Sequence, residues 1–137
     1  MTLDLAEASE TALSFGGQLG PINLGAYLFN GDADKASKSN SIYGYGLWLK
    51  YNYESGDINF HASTGIISNL ADSDTPQGAL TTPNTVTKAK AGQNIALRFS
   101  IRGFSLHGEY IFTYGEFDAA DIPWNGGNAS PTAYQIE

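Results

Sequence analysis

Large apolar residues alternate with small or polar ones along the stretch Ser41–Leu70. On its first arm every second side chain is aromatic or aliphatic: Tyr43, Tyr45, Leu47, Leu49, Tyr51 and Tyr53. The second arm, 58–67, repeats the pattern. Successive side chains of a strand point to opposite faces, so this spacing predicts a hairpin of two strands. Both arms exceed the usual five or six residues and match the roughly nine to eleven that cross a bilayer at a tilt.

The same alternation predicts further strands on both sides of this hairpin. They are Thr2–Ala6, Thr11–Leu19, Ile22–Asn30, Gly92–Arg102, Phe104–Tyr114 and a partial strand over Pro131–Glu137. Short connections at 20–21, 55–56 and 102–103 alternate with long ones at 31–40, 71–90 and 115–130. Outer-membrane barrels alternate short periplasmic turns with longer extracellular loops in this way. We therefore predict an all-β chain: an antiparallel, up-and-down transmembrane β-barrel segment of about eight strands.

Composition agrees with strand-rich structure in one domain over residues 1–137. Charged residues make up 15% of the chain, against about 25% in ordinary soluble domains, and 16 residues are glycine. The net charge of −7 argues against a nucleic-acid partner, which needs a basic face. With no cysteine there is no disulfide, thiolate nucleophile or cysteine-based metal site.

The beginning of the chain bears on its origin and localisation. Met1 is followed directly by Thr-Leu-Asp-Leu, without the basic region and apolar core of a signal peptide. An outer-membrane protein needs a signal peptide, so we expect an excised piece of a larger barrel with an added Met.

Two orientations of the sheet are open. In the favoured one the apolar rows face lipid, because the polar face carries mostly Gly, Ser, Asn and Gln and would be a poor water-facing surface. In the alternative the apolar rows turn inward, forming a soluble β-barrel or sandwich that binds a small apolar ligand. A structural or adhesin-like barrel with a filled lumen is a third reading.

Four basic or imidazole side chains are predicted to meet on the polar face. Two-residue turns at 55–56 and 102–103 would place one pair on each hairpin in direct opposition. The first pair is Lys50 with His61 and the second is Arg98 with His107. All four would then lie at nearly one height above the turns.

Glu109 and Trp48 are expected one step away on this face. One interpretation is a lumen-lining belt that contacts an anionic or polyhydroxylated solute, since rings of Arg and Lys select anions. The other is internal bracing, with Arg98 and Lys50 paired to Glu109 or to other lumen acids on strands outside this segment. A catalytic role is disfavoured, because no Ser or Cys nucleophile stands beside the histidines. No paired-histidine metal-ligand spacing is present either, and no cofactor is implied.

Three pairs of acidic residues occur in the predicted long loops: Asp32/Asp34, Asp72/Asp74 and Asp118/Asp121. Carboxylate clusters can bind Ca²⁺, but none of these pairs has EF-hand spacing. Solvated Asp-rich turns are common, and we favour that interpretation.

Six segments together carry a resemblance to a known family: Leu3–Leu5, Thr11–Phe15, Ala26–Asp32 with Lys35, Tyr43–Tyr53, Gly65–Asp74 and Gly108–Ile111. They are similar to segments of the LbtU-type siderophore porins of Gram-negative outer membranes. The resemblance implies a larger barrel that carries ferric siderophores across the outer membrane without a plug of the energised-receptor kind. This chain would then supply roughly half of the wall or less.

The partners implied are membrane lipid or detergent and a small solute, suspected to be a siderophore. The family brings no catalytic residues to carry over. The oligomeric state is left open.

Overall fold

The computed structural model describes residues 12–35 and 44–137, which form a seven-stranded antiparallel sheet and a small two-stranded sheet, with the long loops gathered at one end. The seven strands of the sheet are β1 (Ala12–Leu19), β2 (Ile22–Phe29), β4 (Gly44–Ser55), β5 (Ile58–Ile67), β7 (Gly92–Ile101), β8 (Phe104–Thr113) and β9 (Thr132–Ile136). Each strand pairs with its neighbour in the chain, which is the up-and-down order predicted. The sheet is open, with β1 and β9 at its two edges.

Smaller elements lie in the long connections. Two-residue strands, β3 (Asp34–Lys35) and β6 (Thr85–Val86), pair in parallel. The connection after β5 contains a 3₁₀ turn, Leu70–Asp72, and one short helix, α1 (Asp74–Gly78), which alternation could not predict. Within the described ranges, no helix has the length and apolar character needed to cross a membrane.

The predicted strands agree with the observed ones to within about two residues at their ends. The alternation of short turns and long loops is confirmed over residues 44–137 and at the turn 20–21. The predicted first strand, Thr2–Ala6, and most of the loop 31–40 fall outside the described residues. The all-β, antiparallel, up-and-down prediction is therefore confirmed for the seven strands seen.

The register of the central hairpin differs from the prediction. Ser55 pairs with Ile58, so the turn is 56–57 and not 55–56. Gly56 has a φ of +57° and takes the first turn position, where a type II′ turn favours glycine. The predicted opposition of Lys50 and His61 is therefore wrong by two residues. The turn at 102–103 and the opposition of Arg98 and His107 are confirmed.

One face of the sheet is a continuous apolar surface that remains exposed. On β4 and β7, the strands on either side of the central strand β5, Leu47 keeps 51% and Leu97 keeps 49% of its surface accessible. Large apolar residues are exposed on every strand of the sheet, on β5 only at its first residue: Leu13, Phe15, Leu24, Leu28, Tyr45, Leu49, Ile58, Phe99, Leu106, Tyr110 and Tyr134. These rows do not form a dry interior.

The opposite face is lined by glycines that accept side chains from neighbouring strands. A Cβ on Gly25 would lie 2.6 Å from the ring of Trp48 and 2.7 Å from the carbonyl oxygen of Phe15. Gly46 and Gly44 leave the same kind of space for the rings of Tyr27 and Phe29. Glycine is required here because the rings lie flat on the sheet.

The loops fold onto this second face and form the hydrophobic core of the described part of the chain. The core joins loop residues to the ends of two strands, and its members are Ala33, Leu70, Ala71, Leu80, Val86, Ile111, Phe117, Ile122, Ala129 and Ala133. We call these ten residues the loop core.

Two of the acidic residues expected to be solvated are instead buried beside the loop core. Asp72 accepts a hydrogen bond from the amide of Ala33 at 2.9 Å, and Asp121 accepts from the amide of Thr87 at 3.0 Å. The solvated interpretation is therefore wrong for these two, because each carboxylate joins two loops. Asp32, Asp74 and Asp118 are exposed.

Candidate functional site

The predicted site residues lie on the glycine-lined face, between the loop core and the short turns. The row nearest the turns crosses four strands and ends beside β9: Asn52, His61, Arg98, His107 and Glu137. The next row contains Lys50, Ser63, Ala96 and Glu109, and the row above it contains Trp48 and Asn94. We call these three rows the polar rows.

Lys50 is the one basic residue out of line with the others. It lies two residues along β4 from the row of His61, a displacement of about 7 Å. His61, Arg98 and His107 are in direct opposition on adjacent strands, as expected for residues at one height. In the observed register all four side chains still lie on one face, but Lys50 lies one row away from His61, Arg98 and His107.

Trp48 is held in place by glycine on the neighbouring strands. Its ring lies over Gly25 and reaches Gly16, where a Cβ would be 3.1 Å away. The Nζ atom of Lys50 stands 5.5 Å from the centre of the Trp48 ring, within the range of a cation–π contact. Trp48 therefore orients the Lys50 ammonium across the sheet surface.

Each histidine has one partner in its own row. Nδ1 of His61 is 2.8 Å from Oδ1 of Asn52, and Nδ1 of His107 is 4.0 Å from a carboxylate oxygen of Glu137. Sequence analysis missed both partners, since Asn52 entered the row only through the corrected turn. Glu137 pairs through its backbone with His107, which the length of the last partial strand could have indicated.

Bracing by Glu109 is not seen in the described part of the chain, and bracing by acids on other strands stays a prediction. Over those residues, Arg98 and Lys50 form no ion pair with a carboxylate, and the Glu109 side chain makes no hydrogen bond. Arg98 and Glu109 are diagonal neighbours on β7 and β8, a separation of about 7–8 Å between backbones. Both basic side chains are exposed and available to a solute.

Charge is distributed unevenly along the polar rows. The permanent positive charges, Lys50 and Arg98, are on β4 and β7, whereas Glu109 and Glu137 lie on β8 and beside β9. Lys50 and Glu109 share a row but are three strand spacings apart, about 14 Å. An anion would therefore be attracted to the β4–β7 half of this face.

Two shallow cavities adjoin these side chains. One of about 220 Å³ is lined by Lys50, Asn52, His61, Arg98 and His107. The other, of about 230 Å³, lies between the polar rows and the loop core, and its wall includes Tyr27, Trp48 and Asn94. Both are smaller than the roughly 300 Å³ of ordinary ligand pockets.

No family model, no curated protein and no solved structure matches this chain. Its function is therefore inferred from the geometry of the sheet and the chemistry of its two faces.

Proposed function

We propose that this chain is a segment of the wall of an outer-membrane β-barrel. Its polar rows would line a channel for an anionic or polyhydroxylated solute. A ferric siderophore is the solute that the family resemblance implies. We assign the chain no catalytic role and propose lipid as the medium that contacts its apolar face.

The observation that carries this proposal is the exposed apolar face across all seven strands. Monomeric soluble proteins rarely expose contiguous apolar patches above a few hundred Å². β4, β5, β7 and β8 are 10 to 12 residues long, enough to cross a hydrocarbon layer at a tilt. Because lipid cannot satisfy strand edges, the open edges at β1 and β9 would be closed by further strands.

Water access to the opposite face supports a path for solute. Lys50 and Arg98 are exposed on that face, within the described residues, without carboxylate partners. Isolated basic groups along a pore attract anions by their field and do not need covalent chemistry.

The absence of cysteine from the sequence permits a direct test of orientation. Leu97→Cys and Ala96→Cys place single thiols on adjacent residues of β7 that face opposite sides. After refolding into lipid vesicles, a bimane label at 97 should be quenched by brominated acyl chains. The label at 96 should be quenched by iodide from the water phase.

The reverse pattern, or a chain that stays monomeric and soluble without detergent, would replace this proposal with the soluble barrel or sandwich that binds an apolar ligand.

Solute selection is tested in the closed barrel that contains this segment. Lys50→Gln with Arg98→Gln should lower anion permeability in liposome swelling, because both positive charges of the polar rows are removed. Lys88→Gln removes one positive charge from an exposed loop position and is the matched control. Unaltered anion permeability in the double variant would show that the polar rows do not line the transport path. A barrel that passes no solute would indicate the filled, structural alternative.

A further inference from the structure

We propose that the long-loop end carries a binding site for an uncharged carbohydrate, built around Trp124. A cavity of about 560 Å³ opens there between α1 and the loop 115–131. This volume lies within the roughly 300–1,000 Å³ of small-molecule sites and is more than twice that of either recess beside the polar rows. The site does not depend on the channel proposal, because binding there requires no passage of solute.

Trp124 is presented to this cavity by a rigid hairpin. Its amide and carbonyl both hydrogen-bond to Gly127, at 3.0 and 2.9 Å. Asn125 and Gly126 between them have φ values of +48° and +78°, the left-handed pair of a type I′ turn. The Trp124 side chain nevertheless keeps 69% of its surface exposed. A large aromatic held exposed on a fixed turn is an efficient stacking surface, because little conformational freedom is lost on binding.

The hairpin is anchored to the loop core below it. Phe117 is fully buried and pairs with Ala129 through two backbone hydrogen bonds of 2.8 and 3.1 Å. Asn128 accepts from the amide of Ala119 at 3.1 Å and donates to Glu116 at 3.3 Å. The cavity wall is therefore preformed.

The composition of the wall selects the class of ligand. Pro76, Ile122 and Pro131 supply apolar surface beside Trp124. Hydroxyl groups on the same wall, those of Thr75, Ser130 and Thr132, make no hydrogen bond within the described residues and are available to a ligand. A sugar ring offers one apolar face for stacking and a rim of hydroxyls for hydrogen bonds, and it matches such a wall.

The charge of the wall argues against an anionic ligand. Among the residues that the structure describes, Glu116 is the one ionisable residue that lines the cavity. A carboxylate in that position accepts hydrogen bonds from neutral hydroxyls and repels another carboxylate. This cavity therefore favours an uncharged ligand, whereas Lys50 and Arg98 favour an anionic one.

Binding is measured with the whole chain refolded in lauryldimethylamine oxide, a detergent without sugar groups. Maltotetraose is the uncharged probe and tetragalacturonate the anionic one, each titrated by saturation-transfer difference NMR. Maltotetraose should bind saturably with a Kd on the order of 1 mM, as expected for one stacking surface with few hydrogen bonds. Tetragalacturonate should bind at least about tenfold more weakly.

Trp124→Ala should weaken maltotetraose binding about tenfold or more, and Trp124→Phe, which keeps an aromatic face, should retain most of it. Glu116→Gln should reduce the difference in affinity between maltotetraose and tetragalacturonate, because it removes the charge that repels the anionic probe. Phe104→Ala truncates an aromatic with 83% of its surface exposed at the opposite end of the sheet and is the matched control.

Hydrogen-exchange protection at Phe117 and Ala129 verifies that each variant keeps the hairpin fold. Three results would each overturn this site. They are the absence of saturable maltotetraose binding, binding by folded Trp124→Ala equal to that of the unsubstituted chain, and equal affinity for both probes. Binding that Phe104→Ala abolishes would place the ligand elsewhere and overturn it as well.

Discussion

The two ends of this sheet are built on different principles. At the long-loop end, loops return over the glycine-lined face and bury Phe117, Val86 and Ile111 in the loop core. At the short-turn end, two-residue turns carry exposed residues such as Arg102 and Asp57. Burial is therefore concentrated where the loops are, even though the most regular hydrophobic pattern lies in the strands.

This difference separates two uses of apolar side chains. The strand rows are large, periodic and exposed, so they define a surface for an external medium. The loop residues are scattered and buried, so they give the loop end its own tertiary stability. Substitutions at the two ends should therefore differ in cost by several kcal/mol.

The largest effect is expected at the centre of the loop core. Phe117→Ala should reduce the free energy of opening the loop 115–131 by about 3–5 kcal/mol, because it leaves a cavity at a fully buried position. Native-state hydrogen exchange at the amide of Ala129, which is bonded to Phe117, measures this opening. Phe104→Ala at the turn end should change the same protection by less than about 0.5 kcal/mol. Equal effects of the two truncations would contradict a core confined to the loop end.

A smaller but clear effect is expected from the buried carboxylate that joins two loops. Asp121→Ala removes the acceptor of the Thr87 amide and hydroxyl and should lower the free energy of opening the loop 115–131 by about 1–3 kcal/mol. Cleavage of this loop by thermolysin should accelerate about tenfold or more, because its open form becomes more populated. Asp74→Ala, at an exposed acid of α1, is the matched control and should leave the cleavage rate unchanged. Unaltered cleavage of Asp121→Ala would show that this carboxylate does not hold the loops together.

The glycine-lined face gives the next test. Gly25→Ala should destabilise the refolded chain by about 1–3 kcal/mol, because the new methyl group meets the Trp48 ring and a backbone oxygen. Gly17→Ala on β1 meets nothing within 4 Å and should be neutral or slightly stabilising. Guanidinium unfolding followed by Trp fluorescence compares them. Destabilisation by Gly17→Ala of the same size would mean that strand propensity, and not ring packing, explains the glycines.

The smallest effect is expected at the turn of β7 and β8. Arg102→Gly removes an ion pair of 3.6 Å to Asp57 between two largely exposed side chains, a contact that contributes little. It also relieves the positive φ of +47° at Arg102. The two effects oppose each other, so the unfolding free energy should change by less than about 1 kcal/mol. A larger loss would show that the turn end contributes to stability as the loop end does.

Sequence analysis located the strands because a period of two is a local signal that survives without knowledge of tertiary contacts. The predicted register of the central hairpin was wrong because of Gly56. The sequence allows this glycine at either turn position, but a type II′ turn places it at the first. That error shifted the predicted partner of Lys50 by two residues and hid Asn52 as the partner of His61.

The loop core could not be predicted in the same way. Leu80, Val86 and Ile122 follow no period, and their burial depends on contacts between loops that are far apart in the sequence. Asp72 and Asp121 resembled solvated turn residues because a carboxylate buried by a distant segment has no local mark in the sequence. The cavity at Trp124 depends on the same long-range packing.

The hydrogen bonds that hold the loops together have a consequence for the order of assembly. Asp72 reaches the amide of Ala33 across 39 positions in the sequence, and Asp121 reaches Thr87 across 34. Contacts between such distant positions carry a high entropic cost of chain closure until the intervening hairpins bring them together. The hairpins should therefore form first, starting at their two-residue turns. The long loops that form the loop core should pack onto the sheet in the last step of folding.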